Sequence, residues 1–286
     1  MFRTVFFMPN IISVAIIGLI FSFLFASYAG IINSLLMKFG LVTKSVNFGE
    51  GDKILTLITD RYGRIQAMAK GARRTKSKLM AGTQLFCYCD FVLFKGKTWY
   101  YIDQAEIINT FHKIRNDLAR LARCTYLIEL ANEVVQPDQP PGKLLRVVLE
   151  ALYMLAGEEG NPEVLIRAAE LKVLACAGFK PRLGHCASCG TETDAGYFSP
   201  VSGGVLCPAC EKVDPYGCRV SPGTIGVMKL MLGWRLKKLA CLKVGRHTLK
   251  ELETTMRAYV AVHIDKDFSS NRFMDSIKNN VTGRLE

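Results

Sequence analysis

Residues 186 to 210 read CASCGTETDAGYFSPVSGGVLCPAC, and no other stretch of the 286-residue chain restricts its folding so tightly. Cys186 and Cys189 make one C-x-x-C pair, seventeen residues follow, and Cys207 and Cys210 make the second. Within each pair a tight turn lets two thiolates approach one ion, and the middle segment must fold back as a hairpin to bring the pairs together. Four sulfurs in a tetrahedron suit Zn2+, and an all-thiolate sphere is closed to water, so one structural zinc per chain is expected. Two disulfides or an iron–sulfur cluster would use the same four cysteines. His185, beside the first pair, reads as a neighbour of the site. The remaining six of the ten cysteines (Cys87, Cys89, Cys124, Cys176, Cys218 and Cys241) lack metal spacing and are expected to pack in apolar surroundings. Paired thiols in a chain of this length favour metal over a disulfide framework, and with it a reducing compartment.

The front of the chain has a different character. From Thr4 to Met37 there is no charged residue, and FFMPNIISVAIIGLIFSFLFASYAG exceeds the roughly 20 apolar residues that a spanning helix needs. Only Arg3 precedes this run, which is also longer than the apolar region of a signal peptide. Residues 2–36 resemble an internal segment of sugar-type ABC transporter permeases, in which a similar Phe-Phe-Met-Pro run leads into a membrane helix. No stretch after Met37 is long and uncharged enough to span, so no transport function is expected. The segment is read as foreign, fused or placed by choice of start ahead of a protein that begins at Met37. On that reading it projects from the first strand with few contacts, and any membrane tethering comes through it alone.

Past Met37 the pattern becomes that of short strands. GLVTKSV (40–46), KILTLITD (53–60), IQAMAK (65–70), FCYCDFVLFK (86–95) and TWYYID (98–103) are rich in Thr, Ile, Val and aromatics, and several alternate apolar with polar. RYGR and KGK supply turns. Five such strands in so short a span predict a small barrel of the OB type. Between the third and fourth strands, KGARRTKSK sets Lys70, Arg73, Arg74, Lys76 and Lys78 within nine residues, with no acid among them. Cations clustered on a barrel rim can follow a phosphate backbone, each contact releasing condensed counterions. Phe86, Tyr88, Trp99, Tyr100 and Tyr101 lie on neighbouring strands, where most are expected to fill the barrel and some could stack bases. The chain's formal net charge of +12 and pI of about 9.3 point the same way, to a polyanionic partner.

SVNFGEGDKILTLITDRYGRIQAMAKGARRTKSKL resembles the opening of the bacterial recombination mediators of the RecO family. QLFCYCDFVLFKGKTWYYIDQAEIINTF and LARCTYLIELANEVV continue the likeness, the cysteine ribbon stands at the family's place in the chain, and YVAVHIDKDFSSNRFMDSI is similar to its C-terminal end. The resemblance covers residues 37–286. It implies binding of single-stranded DNA, annealing of complementary strands, and work with RecR to load RecA onto DNA coated by single-stranded DNA-binding protein. It also implies a helical docking surface for that protein's acidic tail, and a cytoplasmic, nucleoid-associated location.

Helical periodicity follows Phe111. One run carries Leu118 to Val135, a second Leu144 to Leu155, and a third starts with Asn161 as cap and Pro162 at the first helical position. Ser221-Pro222 opens a further helix, and Thr248 with Glu251 predicts a capping box on the next. Arg235, Lys237, Lys238, Lys243 and Arg246 form a second basic stretch, which a solvated helix face explains as well as DNA contact does. The expected architecture is α+β: a permease-like segment at 1–36, an OB-fold domain at 37–112, a helical domain at 113–180, an inserted four-cysteine ribbon at 181–217, and C-terminal helices at 218–286 that pack with the helical domain. No Walker loop, dinucleotide-binding fingerprint, H-E-x-x-H or G-x-S-x-G occurs, so a binding protein is expected rather than an enzyme. A generic zinc-containing nucleic-acid-binding protein, with RNA among its candidate ligands, is the alternative, as is a membrane-tethered mediator.

Overall fold

The computed structural model of the chain describes residues 36–96, 99–194 and 196–266, together with Phe268, Ser270 and Met274. The uncharged segment 1–35, with its permease-like reading, lies outside the described residues. Among the described residues no helix is long and apolar enough to cross a membrane. Two compact units divide between Thr110 and Phe111.

The first unit is a closed five-stranded barrel of order β1-β2-β3-β5-β4, as the strand pattern predicts. Its strands are β1 (Leu36–Phe48), β2 (Asp52–Thr59), β3 (Gly63–Ala69), β4 (Tyr88–Lys95) and β5 (Tyr100–Asn109). All neighbours are antiparallel except β3 and β5, which run parallel. Alternation places Leu55, Leu57, Ile65, Ala67, Phe91 and Leu93 inside, where they form one buried cluster with Val42, Cys87 and Cys89.

Strand β1 starts four residues before the first alternating residue, Gly40, and runs through the expected junction at Met37. Its first part, Leu36 to Leu41, pairs with β4, and from Gly40 onward it pairs with β2, with a bulge between Val42 and Lys44. A strand that must serve two neighbours is longer than any single pairing, and Leu-Met-Lys-Phe carries no alternation to announce it. Strand β5 likewise runs six residues past Asp103, along an edge whose residues are mostly exposed.

Lys38 explains part of that silence, because it faces inward. Only 2% of it is exposed, its Nζ sits 2.8 Å from the centre of the Tyr62 ring, and among the described residues it has no hydrogen-bond partner. Burial pushes its pKa down from 10.5 to about 8, nearby Arg61 adds to the shift, and Asp60 opposes it. A lysine whose pKa is lower folded than unfolded binds fewer protons in the native state. Its stability share is therefore complete above about pH 10.5, and is lost as pH falls through the window to about 8. Lys38→Met is expected to raise the stability of the barrel at neutral pH by about 1–3 kcal/mol, the usual cost of an unpaired buried polar group. Urea unfolding of both proteins at pH 7.5 and pH 10 checks this: the gap between them should narrow at the higher pH. An equal or wider gap would refute the assignment.

The second unit packs helices around a buried one. These are α1 (His112–Arg115), α2 (Leu118–Val134), α3 (Leu144–Ala156), α4 (Pro162–Cys176), α5 (Pro222–Gly233), α6 (Leu236–Leu239) and α7 (Arg246–His263). Asp117 caps α2 by accepting from the Arg120 N–H at 2.9 Å, and Asn161 caps α4 by accepting from that of Glu163 at 2.9 Å. Helix α4 touches α2, α3, α5, α6 and α7, and every residue from Val164 to Leu171 is buried. Two of those eight are charged. Arg167 Nη1 lies 2.6 and 2.8 Å from the two carboxylate oxygens of Glu170.

The capping box expected at Thr248 does not form. Helix α7 starts at Arg246 after Gly245, with no side-chain cap. Glu251 turns instead to the N-terminus of α5, accepting from the Ser221 N–H at 3.1 Å, from Ser221 Oγ at 2.8 Å, and from Thr224 Oγ1. Burial raises the pKa of Glu251, but these donors outweigh it and hold the carboxyl below its ordinary value. The orphan N–H groups of a helix start can be met from another helix, which no local motif reveals. The expectation for the spare cysteines also needs correction. Cys87, Cys89 and Cys124 are buried, whereas Cys218 is half-buried and Cys176 and Cys241 are exposed.

Candidate nucleic-acid interface and metal centre

The loop between β3 and β4 is held down at several points. Gly71 takes a positive φ of 65°, a turn conformation that favours glycine, and its N–H donates to Asp52 Oδ1 at 2.7 Å. The Arg73 N–H donates to the Gly51 carbonyl at 2.9 Å, and Arg73 Nη1 to that of Gly49 at 3.1 Å. Ala72 and Leu79 are buried in the barrel cluster. The Gly-Glu-Gly-Asp turn after β1 thus forms the seat of the basic loop, a role its sequence did not disclose. With the loop held at Gly71, Ala72, Arg73 and Leu79, the residues Lys70, Arg73, Arg74, Lys76 and Lys78 are all exposed. No acid occurs anywhere from residue 61 to 89, so the loop's field is opposed only from elsewhere in the fold.

The rings divide in a way the sequence did not settle. Phe86 is fully buried, with a positive φ of 69°, and Tyr100 packs partly against the barrel core. Phe94 and Tyr101 stack at 5.2 Å with 14° between their planes, and Lys70 Nζ stands 5.0 Å from the Tyr101 ring. Lys95 Nζ lies 5.9 Å from the Tyr100 ring. Because β5 runs parallel to β3 at Ala67–Met68, Tyr100 and Tyr101 lie beside the strand end from which the basic loop departs. Phe94 and Lys95 belong to this ledge and were not singled out in the sequence. Alternation along β4 puts Phe94 on the outer face and breaks at Lys95, which is exposed as well.

The cysteine ribbon is built from β6 (Tyr197–Ser199), β7 (Gly204–Val205) and β8 (Cys218–Arg219), in the order β7-β6-β8. A Cβ at Gly204 would sit 2.3 Å from the Arg182 carbonyl oxygen, so only glycine allows this approach. Asp214 is buried and ties the hairpin to the segment that leads into β8: its Oδ2 accepts from Ser199 Oγ at 2.6 Å and its carbonyl from Tyr197 Oη at 2.7 Å.

The hairpin brings all four predicted sulfurs together. The ligand atoms of Cys186, Cys189, Cys207 and Cys210 lie within 4.8 Å of one another, and this group could hold a metal ion. His185 is exposed and outside it. Sγ of Cys189 and Sγ of Cys207 are 3.7 Å apart, close to the edge of roughly 3.8 Å expected for thiolates tetrahedrally bound at 2.3 Å around zinc. Burial pushes the Cys186 thiol up, but backbone N–H groups of Cys189, Cys207 and Ser188 outweigh it and bring its pKa down to about 6. The Thr191 hydroxyl and N–H lower that of Cys189, while the hydrogen bond shared with Cys207 pushes Cys210 up to about 12. Crowded sulfurs hold back one another's protons, and a divalent cation would displace them. The donor set fits a metal.

A family model described as recombination protein O N terminal matches residues 36–111, and one described as recombination protein O C terminal matches residues 115–272. The chain belongs to the RecO family. It is 36% identical over 239 residues to the DNA repair protein RecO of Acetivibrio thermocellus, covering 83% of this chain and 95% of that one. The RecO proteins of Alkaliphilus metalliredigens and Symbiobacterium thermophilum are 36% and 33% identical, over 93% and 96% of their lengths. Membership places the chain among DNA repair and recombination proteins and not among enzymes. The N-terminal match starts at the first residue of β1, and neither family match lends support to the permease resemblance of residues 2–36.

Proposed function

We propose that the chain is a recombination mediator that grips single-stranded DNA with its barrel, anneals complementary strands, and works with RecR to load RecA onto DNA coated by single-stranded DNA-binding protein. The acidic tail of the coating protein would dock on the helices, and the setting would be the cytoplasm, at the nucleoid. One arrangement supports the grip: a pinned loop of five exposed cations beside the Phe94–Tyr101 stack. Lys70, Arg73, Arg74, Lys76 and Lys78 take the phosphates, and the ledge offers faces on which any base can stack. Such a grip tolerates sequence, because it reads no base edge.

One Zn2+ per chain, held by Cys186, Cys189, Cys207 and Cys210, would fix the ribbon. With all four positions taken by thiolate it would supply no Lewis acid and no activated water, only rigidity.

Arg73→Ala with Arg74→Ala is expected to lower the slope of log affinity against log salt by about 1.4, or about 0.7 for each phosphate of a single strand that is no longer neutralised. The weakening should be alike for oligonucleotides of different sequence. Titrations of labelled oligonucleotide over a range of salt measure it, and an unchanged slope with unchanged affinity would place the grip elsewhere. Competition between single-stranded DNA and RNA separates the mediator from a generic RNA-binding zinc protein; RNA preference would favour the latter.

A further inference from the structure

From Pro215 to Lys250 the chain has eight Lys and Arg and not one acid. The acid-free tract around the barrel loop, residues 61 to 89, has seven, so the two tracts together carry more than the whole surplus of +12. One lies in each compact unit. The fold then decides which cations of the second tract are available. Arg219 faces Glu211 at 3.9 Å, and Lys229 bonds Asp194 at 3.2 Å. Arg235, Lys237, Lys238 and Lys243 are exposed, and among the described residues none of them is in an ion pair. Helix α6 fixes the direction of two of them, because Leu236 and Leu239 are fully buried and leave Lys237 and Lys238 pointing outward. Trp234 caps the end of α5 half-buried, with Lys238 Nζ 3.9 Å from the centre of its ring.

We infer that this ridge, from Trp234 to Lys243, is a second contact site for the phosphate backbone of single-stranded nucleic acid, separate from the barrel loop and on the other unit. The inference rests on the reading of the chain as a single-strand binder. An anionic membrane face or an acidic peptide would also meet these cations by charge alone, but neither calls for a ring held beside a lysine, as Trp234 is beside Lys238. Exposed large hydrophobics stand at the borders of this region, Tyr216 and Val262, and among the described residues between them there is none. A flexible polyanion needs only spaced charge and a ring, and both are there. Two grips on one chain would let it hold a longer stretch of one strand, or two strands at once, which annealing requires.

The test uses the full chain with Lys237, Lys238 and Lys243 all changed to Ala, exposed positions whose truncation should leave the fold intact. Titration with a long labelled oligothymidylate is expected to show a salt slope lower by about 2 and weaker binding at every salt concentration, at about 0.7 per phosphate left without its cation. Combining these changes with Arg73→Ala and Arg74→Ala should lower the slope further. The protein also carries its own reporter. It has two tryptophans, Trp99 in the barrel unit and Trp234 on the ridge. In a Trp99→Phe background, the emission that remains comes from Trp234 and should be quenched as oligothymidylate is added. An unchanged slope in the triple variant, with Trp234 emission indifferent to DNA, overturns the ridge even where the barrel-loop variant behaves as proposed. Loss of binding to anionic phospholipid vesicles with DNA binding intact overturns it in favour of lipid. A wild-type chain that fails to bind DNA defeats both readings; a silent barrel-loop variant with an active ridge defeats only the other.

Discussion

Cys189→Ser should strip the chain of its metal. The purified wild type is expected to carry one zinc per chain by elemental analysis, and the variant close to none. A hydroxyl is a poor ligand for a borderline-soft cation, and among the described residues no further His, Cys, Asp or Glu joins the group to replace the exposed Cys189. The structural consequence should be large, because metal binding and local folding are one equilibrium in a site like this. Apparent binding energies of about 10–16 kcal/mol are typical where a small zinc module folds around its ion. The ribbon's own core is slight: buried Cys186, Tyr197 and Leu206, with three partly buried neighbours. Without the ion little remains to oppose the entropy of the 25-residue loop. The disturbance should reach beyond the ribbon, since β8 ends at Arg219 and Ser221 opens α5 two residues later. Protease digestion should therefore cut the variant first between residues 186 and 219, and a chelator should give the wild type the same pattern. Cys176→Ser, at an exposed cysteine outside the group, should do neither. Full zinc in the Cys189→Ser protein, or a wild type that purifies without stoichiometric zinc, would count against the site.

What could be read from the chain depended on whether its information was local. C-x-x-C spacing is local, and all four sulfurs converge as expected. Turn glycines and alternation are local too, and the five-strand barrel follows from them. Asn161-Pro162 and Ser221-Pro222 announce α4 and α5 to the residue. The failures are tertiary. Glu251 sits at the right spacing for a capping box and instead serves another helix 30 residues back. Leu36 to Phe39 lack a strand's alternation because they pair with β4 and bury a lysine. The seat of the basic loop is made by Gly49, Gly51 and Asp52, distant in sequence from the loop they hold. The Phe94–Tyr101 stack is a cross-strand pair of the local β4–β5 hairpin, but bringing Lys70 to it needed β5 to close on β3.

Arg167 and Glu170 are another case of the same kind, and they carry the second large expected effect. In VLIRAAELKVLAC nothing local marks Arg167 and Glu170 as interior, yet 2% of one and none of the other is exposed. Arg167→Met should cost about 3–5 kcal/mol, because it leaves the Glu170 carboxylate at the centre of the helical unit without a counter-charge, with only the Tyr126 hydrogen bond to support it. The double variant Arg167→Met with Glu170→Leu should recover part of this, since apolar replacement of a whole buried pair is often neutral or stabilising by about 1–4 kcal/mol, offset here by the buried Tyr126 hydroxyl, which loses Glu170 as a partner. The pH dependence separates an electrostatic cause from a packing one. Burial pushes the pKa of Glu170 up, with Arg167, which pulls it down, opposing. Removing Arg167 removes that opposition, so the carboxyl moves further above its unfolded value. A group whose pKa is higher folded than unfolded contributes stability at low pH and loses it as pH rises through the folded value. The deficit of Arg167→Met should therefore be smaller at pH 5 than at pH 8, while the double variant should show no such trend. Thermal or urea unfolding of the three proteins at both pH values gives the comparison. A deficit that does not vary with pH, or a double variant as unstable as the single one, would mean that Arg167 acts through its packing and not through its charge.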